Sequence, residues 1–110
     1  MTDPIDRLRS ARGLASQQEV DAFEQAIDEL PEPLDPSLLR ELHLVFEDDT
    51  EQPGVMFGLL HRIEDTEMGR QEAAFVDVLP RMMLTAPWWA ETVLMRFLNN
   101  PASRAEFIGH

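Results

Sequence analysis

Residues 16–30 read SQQEVDAFEQAIDEL, and the class of fold follows from this stretch. Ser16 and Glu19 form a capping-box pair, in which the serine oxygen accepts a backbone N–H of the first helical turn and the carboxylate reaches back toward the cap. Val20, Phe23, Ile27 and Leu30 then recur three and four residues apart, with Ala22 and Ala26 beside them. That spacing lays an apolar stripe along one side of a helix. Glu19, Asp21, Asp28 and Glu29 occupy the other face, and Pro31 and Pro33 end the segment because proline has no N–H to continue it.

The same signals repeat on either side. Upstream, Asp3-Pro4 is a cap followed by proline at the first helical position. It predicts a short helix to about Arg12, anchored by Ile5 and Leu8 and stopped at Gly13. Downstream, Asp35-Pro36 opens a helix carrying Leu38, Leu39, Leu42, Val45 and Phe46. Pro53-Gly54 opens another, with Val55, Met56, Leu59, Leu60 and Ile63 on one side. Residues 70–79 predict a fifth, built on Ala73, Ala74, Phe75, Val78 and Leu79 and kinked or ended by Pro80. Pro87 begins the last long helix, with Trp88, Trp89, Val93, Leu94, Phe97 and Leu98. Asn100-Pro101 precedes a short terminal turn with Phe107 and Ile108. No segment alternates as a strand would. The prediction is an all-α fold of six or seven short antiparallel helices in one domain spanning residues 1–110. The similar lengths of 36–65 and 70–99 suggest stacked hairpins of the HEAT-like kind.

Composition narrows the function. A 44% hydrophobic fraction supports a packed core rather than disorder. The chain has no cysteine, so neither a disulfide framework nor a thiolate metal site is available. The start, Met1-Thr2-Asp3-Pro4, lacks a basic region followed by an apolar stretch, and the longest apolar runs are far short of a bilayer span. The expectation is a cytoplasmic protein. Asp and Glu total 21 against 9 basic residues, all arginine, for a net charge of −12. Nucleic-acid binding needs cationic density to neutralise phosphates, and anionic membranes repel such a chain. A cationic protein partner is favoured, since opposite fields speed encounter.

Chemistry has little foothold. His61 and Glu64 share a helix face at i and i+3, but His43 and His110 supply no second motif for a metal. The more economical reading puts His61 at the edge of the core and Glu64 beside an arginine. The serines fall at caps and helix starts, tyrosine is absent, and no glycine-rich phosphate loop occurs. No enzyme activity and no cofactor are expected. Trp88 and Trp89 point about 100° apart on a helix. Both read as packing residues, and exposure of one would add weight to an interface role. Arg96 in an apolar helix needs a partner, with Glu64 the first candidate.

The acidic clusters are the best candidates for binding. Glu47, Asp48, Asp49 and Glu51 fall in one loop, and Glu64, Asp65 and Glu67 at the end of the next helix. Antiparallel packing can leave them at opposite ends of a hairpin, so they need not form one patch.

The segment Leu60-His61-Arg62-Ile63-Glu64, followed by Trp89-Ala90-Glu91-Thr92-Val93-Leu94-Met95-Arg96-Phe97-Leu98-Asn99, resembles the all-helical immunity proteins of bacterial polymorphic toxin systems. It is most similar to the family called Immunity protein 30, over about residues 38–108, and the Arg-Phe-Leu-Asn ending is its most distinctive part. The resemblance implies a cognate neutraliser that binds a protein toxin, one with a basic surface, and covers its active site or a surface near it. The shared residues read as fold determinants rather than toxin contacts. The alternative is a helical adaptor or scaffold module with a peptide or protein partner, which a concave apolar groove would favour.

Overall fold

The computed structural model describes residues 3–99. They form six helices: α1 (Pro4–Ala11), α2 (Gln17–Asp28), α3 (Pro36–His43), α4 (Pro53–Glu64), α5 (Met68–Thr85) and α6 (Pro87–Asn99). Among the described residues all regular secondary structure is helical, as the periodicity predicts. The terminal turn expected at Asn100-Pro101, Phe107 and Ile108 lies outside them.

The local start signals act as read. Asp3 accepts the Ile5 N–H at 2.8 Å, and Asp35 accepts the Leu38 N–H at 2.8 Å. The Ser16 hydroxyl accepts the Glu19 N–H at 3.2 Å. Glu19 reaches back one residue beyond the usual capping box, to the Ala15 N–H at 2.8 Å. Each cap satisfies a donor that the helix start leaves orphaned.

Three boundaries differ from the sequence reading, the first at α3, which ends at His43 and leaves Val45 and Phe46, read as part of its stripe, buried in the connection beyond it. The helix expected over 70–79 runs from Met68 to Thr85 and carries Pro80 in its interior. Proline there removes one helical hydrogen bond, a cost of about 3 kcal/mol. Pro80 and Val76, whose carbonyl loses that donor, both lie on the exposed side, so water can serve the carbonyl. On the inner side Phe75, Val78 and Met82 remain buried and hold both halves against the core. The third difference is at the end of α1. The left-handed residue is Leu14, with φ 51°, rather than Gly13. A non-glycine residue there costs about 1 kcal/mol or more, offset by a side chain left only 1% exposed.

Packing joins α1 to α2, α3 to α5, α5 to α6 and α2 to α4. The pairing of 70–99 into one unit is present as α5 against α6. The helices of 36–65 are arranged differently, since α3 lies chiefly on α5 and meets α4 through a smaller contact. The irregular connection of residues 44–52 carries the chain away from α3 before α4 begins. The core gathers Phe23, Leu42, Leu59, Phe75 and Trp89, all essentially inaccessible to water. Paired arginines clip elements together at the rim: Arg7 to Glu29 at 2.8 Å and Arg40 to Asp77 at 3.6 Å.

His43 is buried in this core. Its ring lies 5.7 Å from that of Phe75, and Nδ1 is 2.8 Å from the Leu39 carbonyl. A carbonyl can only accept, so Nδ1 carries the proton and Nε2 is unprotonated. Burial pushes the imidazole down to about 4, with the Leu39 hydrogen bond opposing in part. The unfolded chain therefore takes up a proton near pH 6.5 that the folded chain refuses until about pH 4, so acid favours unfolding across that window. Replacing His43 with Phe removes this penalty. Urea unfolding at pH 7 and pH 5 should show the stability difference between His43→Phe and the parent moving in the variant's favour by about 2 kcal/mol on acidification. A pH-independent difference would contradict the neutral buried imidazole.

Candidate functional site

The acidic connection of residues 44–52 is partly architectural. Pro87 starts α6 directly after Ala86, and neither residue has a side-chain acceptor for the orphan N–H groups of the first turn. Asp48 supplies one from a distant part of the chain. Its Oδ2 accepts the Trp88 N–H at 3.0 Å and its Oδ1 the Trp89 N–H at 3.2 Å. A carboxylate is well suited to the positive end of the helix dipole. The next residue back contributes its backbone: the Trp89 indole donates to the Glu47 carbonyl at 3.0 Å. The indole ring stacks on Phe46 at 5.0 Å and meets Phe57 edge-on at 4.9 Å. On the other side of the connection, the Glu51 N–H donates to the Gly13 carbonyl at 2.9 Å, and the Glu47 carboxylate lies 3.6 Å from Arg12. The loop thus fastens α6 to the turn between α1 and α2.

The second cluster divides in the same way. Arg96 donates to both oxygens of Glu64, at 2.6 Å each. The expected partner of Arg96 is therefore the observed one, and the fork-to-fork geometry explains why arginine suits the position. This bonding raises the Arg96 pKa above its ordinary value. A cavity of ≈ 540 Å³ opens beside the pair, with His43, Leu60, Gln71 and Phe97 in its wall. His61 is exposed rather than at the core edge, with its ring 6.3 Å from that of Phe57.

Of the seven acids singled out in the sequence, Glu47, Asp48 and Glu64 hold structural partners. Asp49, Glu51, Asp65 and Glu67 are exposed. Among the described residues Glu67 pairs with Arg70 at 3.8 Å, while Asp49, Glu51 and Asp65 make no ion pair. The two clusters are tied to opposite ends of α6, through Trp88 and through Arg96. Eight residues at 1.5 Å each set those attachment points about 12 Å apart along the helix.

The two tryptophans have separate roles, which corrects the reading of both as core. Trp89 is buried at 1% exposure, whereas Trp88 is 51% exposed. The exposed face of α6 also carries Met95 and Glu91. A signal for this face was present, because Trp88 and Met95 fall outside the stripe of Trp89, Val93 and Phe97 yet share their own seven-residue spacing.

Removal of the Asp48 carboxylate should destabilise the fold by about 1–2 kcal/mol in Asp48→Ala and by less in Asp48→Asn, as measured by urea unfolding. An unchanged midpoint in both would mean that the cap contributes nothing. The Glu64–Arg96 pair is partly exposed, with side chains 29% and 42% accessible, so water and salt screen it. A double-mutant cycle with Glu64→Gln and Arg96→Gln should give a coupling of at most about 1 kcal/mol that shrinks in high salt. A coupling several times larger would contradict a solvated pair.

No helix of the described residues is long and apolar enough to cross a membrane. No curated protein and no solved structure matches the chain. The model of the family Immunity protein 30 matches residues 10–107, and the chain belongs to that family. The match takes in α2, well upstream of the 38–108 span over which the sequence resemblance is visible.

Proposed function

We propose that this immunity-family chain is a stoichiometric neutraliser of a protein toxin, acting in the cytoplasm by covering a basic surface at or beside the toxin's active site. The observation that carries the reading is the family match over residues 10–107. Charge supports it: the net −12 leaves a carboxylate surplus after the arginines have been used in clipping helices together. A cationic partner gains long-range attraction from such a surface, seen mainly in the association rate.

The contact residues in this proposal come from the two clusters, Glu47, Asp48, Asp49 and Glu51 with Glu64, Asp65 and Glu67. Within them, Asp49, Glu51 and Asp65 are the clean probes, because their carboxylates are exposed and spend nothing on an internal ion pair. Changes at Asp48 or Glu64 disturb the α6 cap or the Arg96 pair as well as the surface.

Co-expression with the product of the adjacent upstream reading frame tests the function. The expected result is a product that stops growth when made alone, growth restored by this chain, and a tight 1:1 complex on purification. A harmless neighbour that does not co-purify would contradict the reading. Given the complex, the triple variant Asp49→Lys, Glu51→Lys and Asp65→Lys should slow association by about tenfold or more at low salt, with the gap closing as salt rises. Equal association rates at all salt concentrations would remove these acids from the interface.

A further inference from the structure

Among the described residues the large exposed apolar side chains all lie on α5 and α6, where α5 carries Val76, Met83 and Leu84 and α6 carries Trp88 and Met95. Trp88 and Met95 are 51% and 49% exposed on α6, and Leu84, in the last turn of α5, is 86% exposed. Trp88, Glu91, Thr92, Met95 and Arg96 line one shallow groove on the outside of α6. Nothing in the fold requires a tryptophan at position 88. The Asp48 cap engages its backbone N–H, which any residue but proline would offer. The ring touches Trp89 edge-on, with centroids 4.8 Å apart, and leaves half its surface in water. A large apolar ring held in place at low conformational entropy, beside a methionine that can reshape itself, has the composition of an interface anchor.

We infer that the outer face of α6, with Trp88 as its anchor and Met95 beside it, is the contact surface for a basic protein partner. The inference rests on the neutraliser reading and assigns it a place on the molecule. Charge selects the occupant. Asp48 and its exposed neighbours Asp49 and Glu51 lie at the N-terminal end of this face and Glu91 lines its groove, while Arg96 at the far end is neutralised by Glu64, so the net charge around the apolar centre is negative and complements a cationic rim on the partner. A second copy of this chain is disfavoured on the same ground, because each copy brings −12. The arrangement also joins the two acidic clusters, about 12 Å apart along α6, into a single footprint.

The test is titration of the purified upstream-frame product into the full chain, comparing the parent with Trp88→Ala, Met95→Arg and, on exposed α2, Asp21→Ala. Circular dichroism and urea unfolding would establish that each variant is folded. The expected result is a loss of about 30-fold or more in affinity for Trp88→Ala. Met95→Arg should lose affinity comparably, and Asp21→Ala should be unaffected. Acrylamide quenching of the parent's tryptophan emission should fall on binding, and a folded Trp88→Phe variant, which reports Trp89 alone, should show little change. If the parent binds and both α6 variants bind equally well, the inference is overturned while the neutraliser reading survives. If the parent does not bind, the neutraliser reading fails and the inference falls with it. A dimer of this chain in light scattering that Trp88→Ala dissociates would also overturn it, by assigning the face to self-association.

Discussion

The Asp48 carboxylate at the start of α6 is the constraint on which the rest of the architecture turns. Helix α6 begins immediately after α5, with no residue between them able to cap it. Its first N–H groups must find an acceptor elsewhere or remain unsatisfied. The connection between α3 and α4 supplies that acceptor, and the same few residues bind the Trp89 indole and the Gly13 carbonyl. The loop is therefore a junction between the N-terminal helix pair and the C-terminal one. It also explains why α3 and α4 do not lie along each other, since the segment between them is spent on contacts with α6 and the α1–α2 turn.

Anchoring α6 in this way fixes which of its faces is turned outward. With Trp89 stacked on Phe46 and set against Phe57, Val93 and Phe97 follow it into the core, and Trp88 has no inward position left. The acidic residues then fall into two groups. Some are held by structural partners, and others stand at the surface, where mutual repulsion would weaken the fold slightly but attract a cationic protein. Among the described residues six of eight arginines lie within ion-pairing distance of carboxylates, and this consumption of positive charge accentuates the acidic exterior.

The parts of the structure legible in sequence are those governed by local physics. The caps at Asp3, Ser16 and Asp35 were readable because their bonds span two or three residues. The Glu64–Arg96 pair was readable because a buried-looking arginine in an apolar helix demands a carboxylate. The passage of α5 through Pro80 was not, because it depends on whether the proline faces water or the core, and that is set by packing. The cap at Asp48 spans 40 residues, and in sequence this aspartate is indistinguishable from its unpaired neighbour Asp49. The exposure of Trp88 follows from the same long-range contact. Sequence could state that adjacent tryptophans diverge, but not which would remain outside.

The central claim is that a basic protein partner rests on the outer face of α6 and the acidic loop that caps it. Hydrogen exchange of the chain, free and bound to the upstream-frame product, tests this most directly. The account predicts new protection in residues 47–51, 64–67 and 87–96, with α2 unchanged. Protection confined to α1 and α2, with residues 87–96 exchanging as in the free protein, would contradict it.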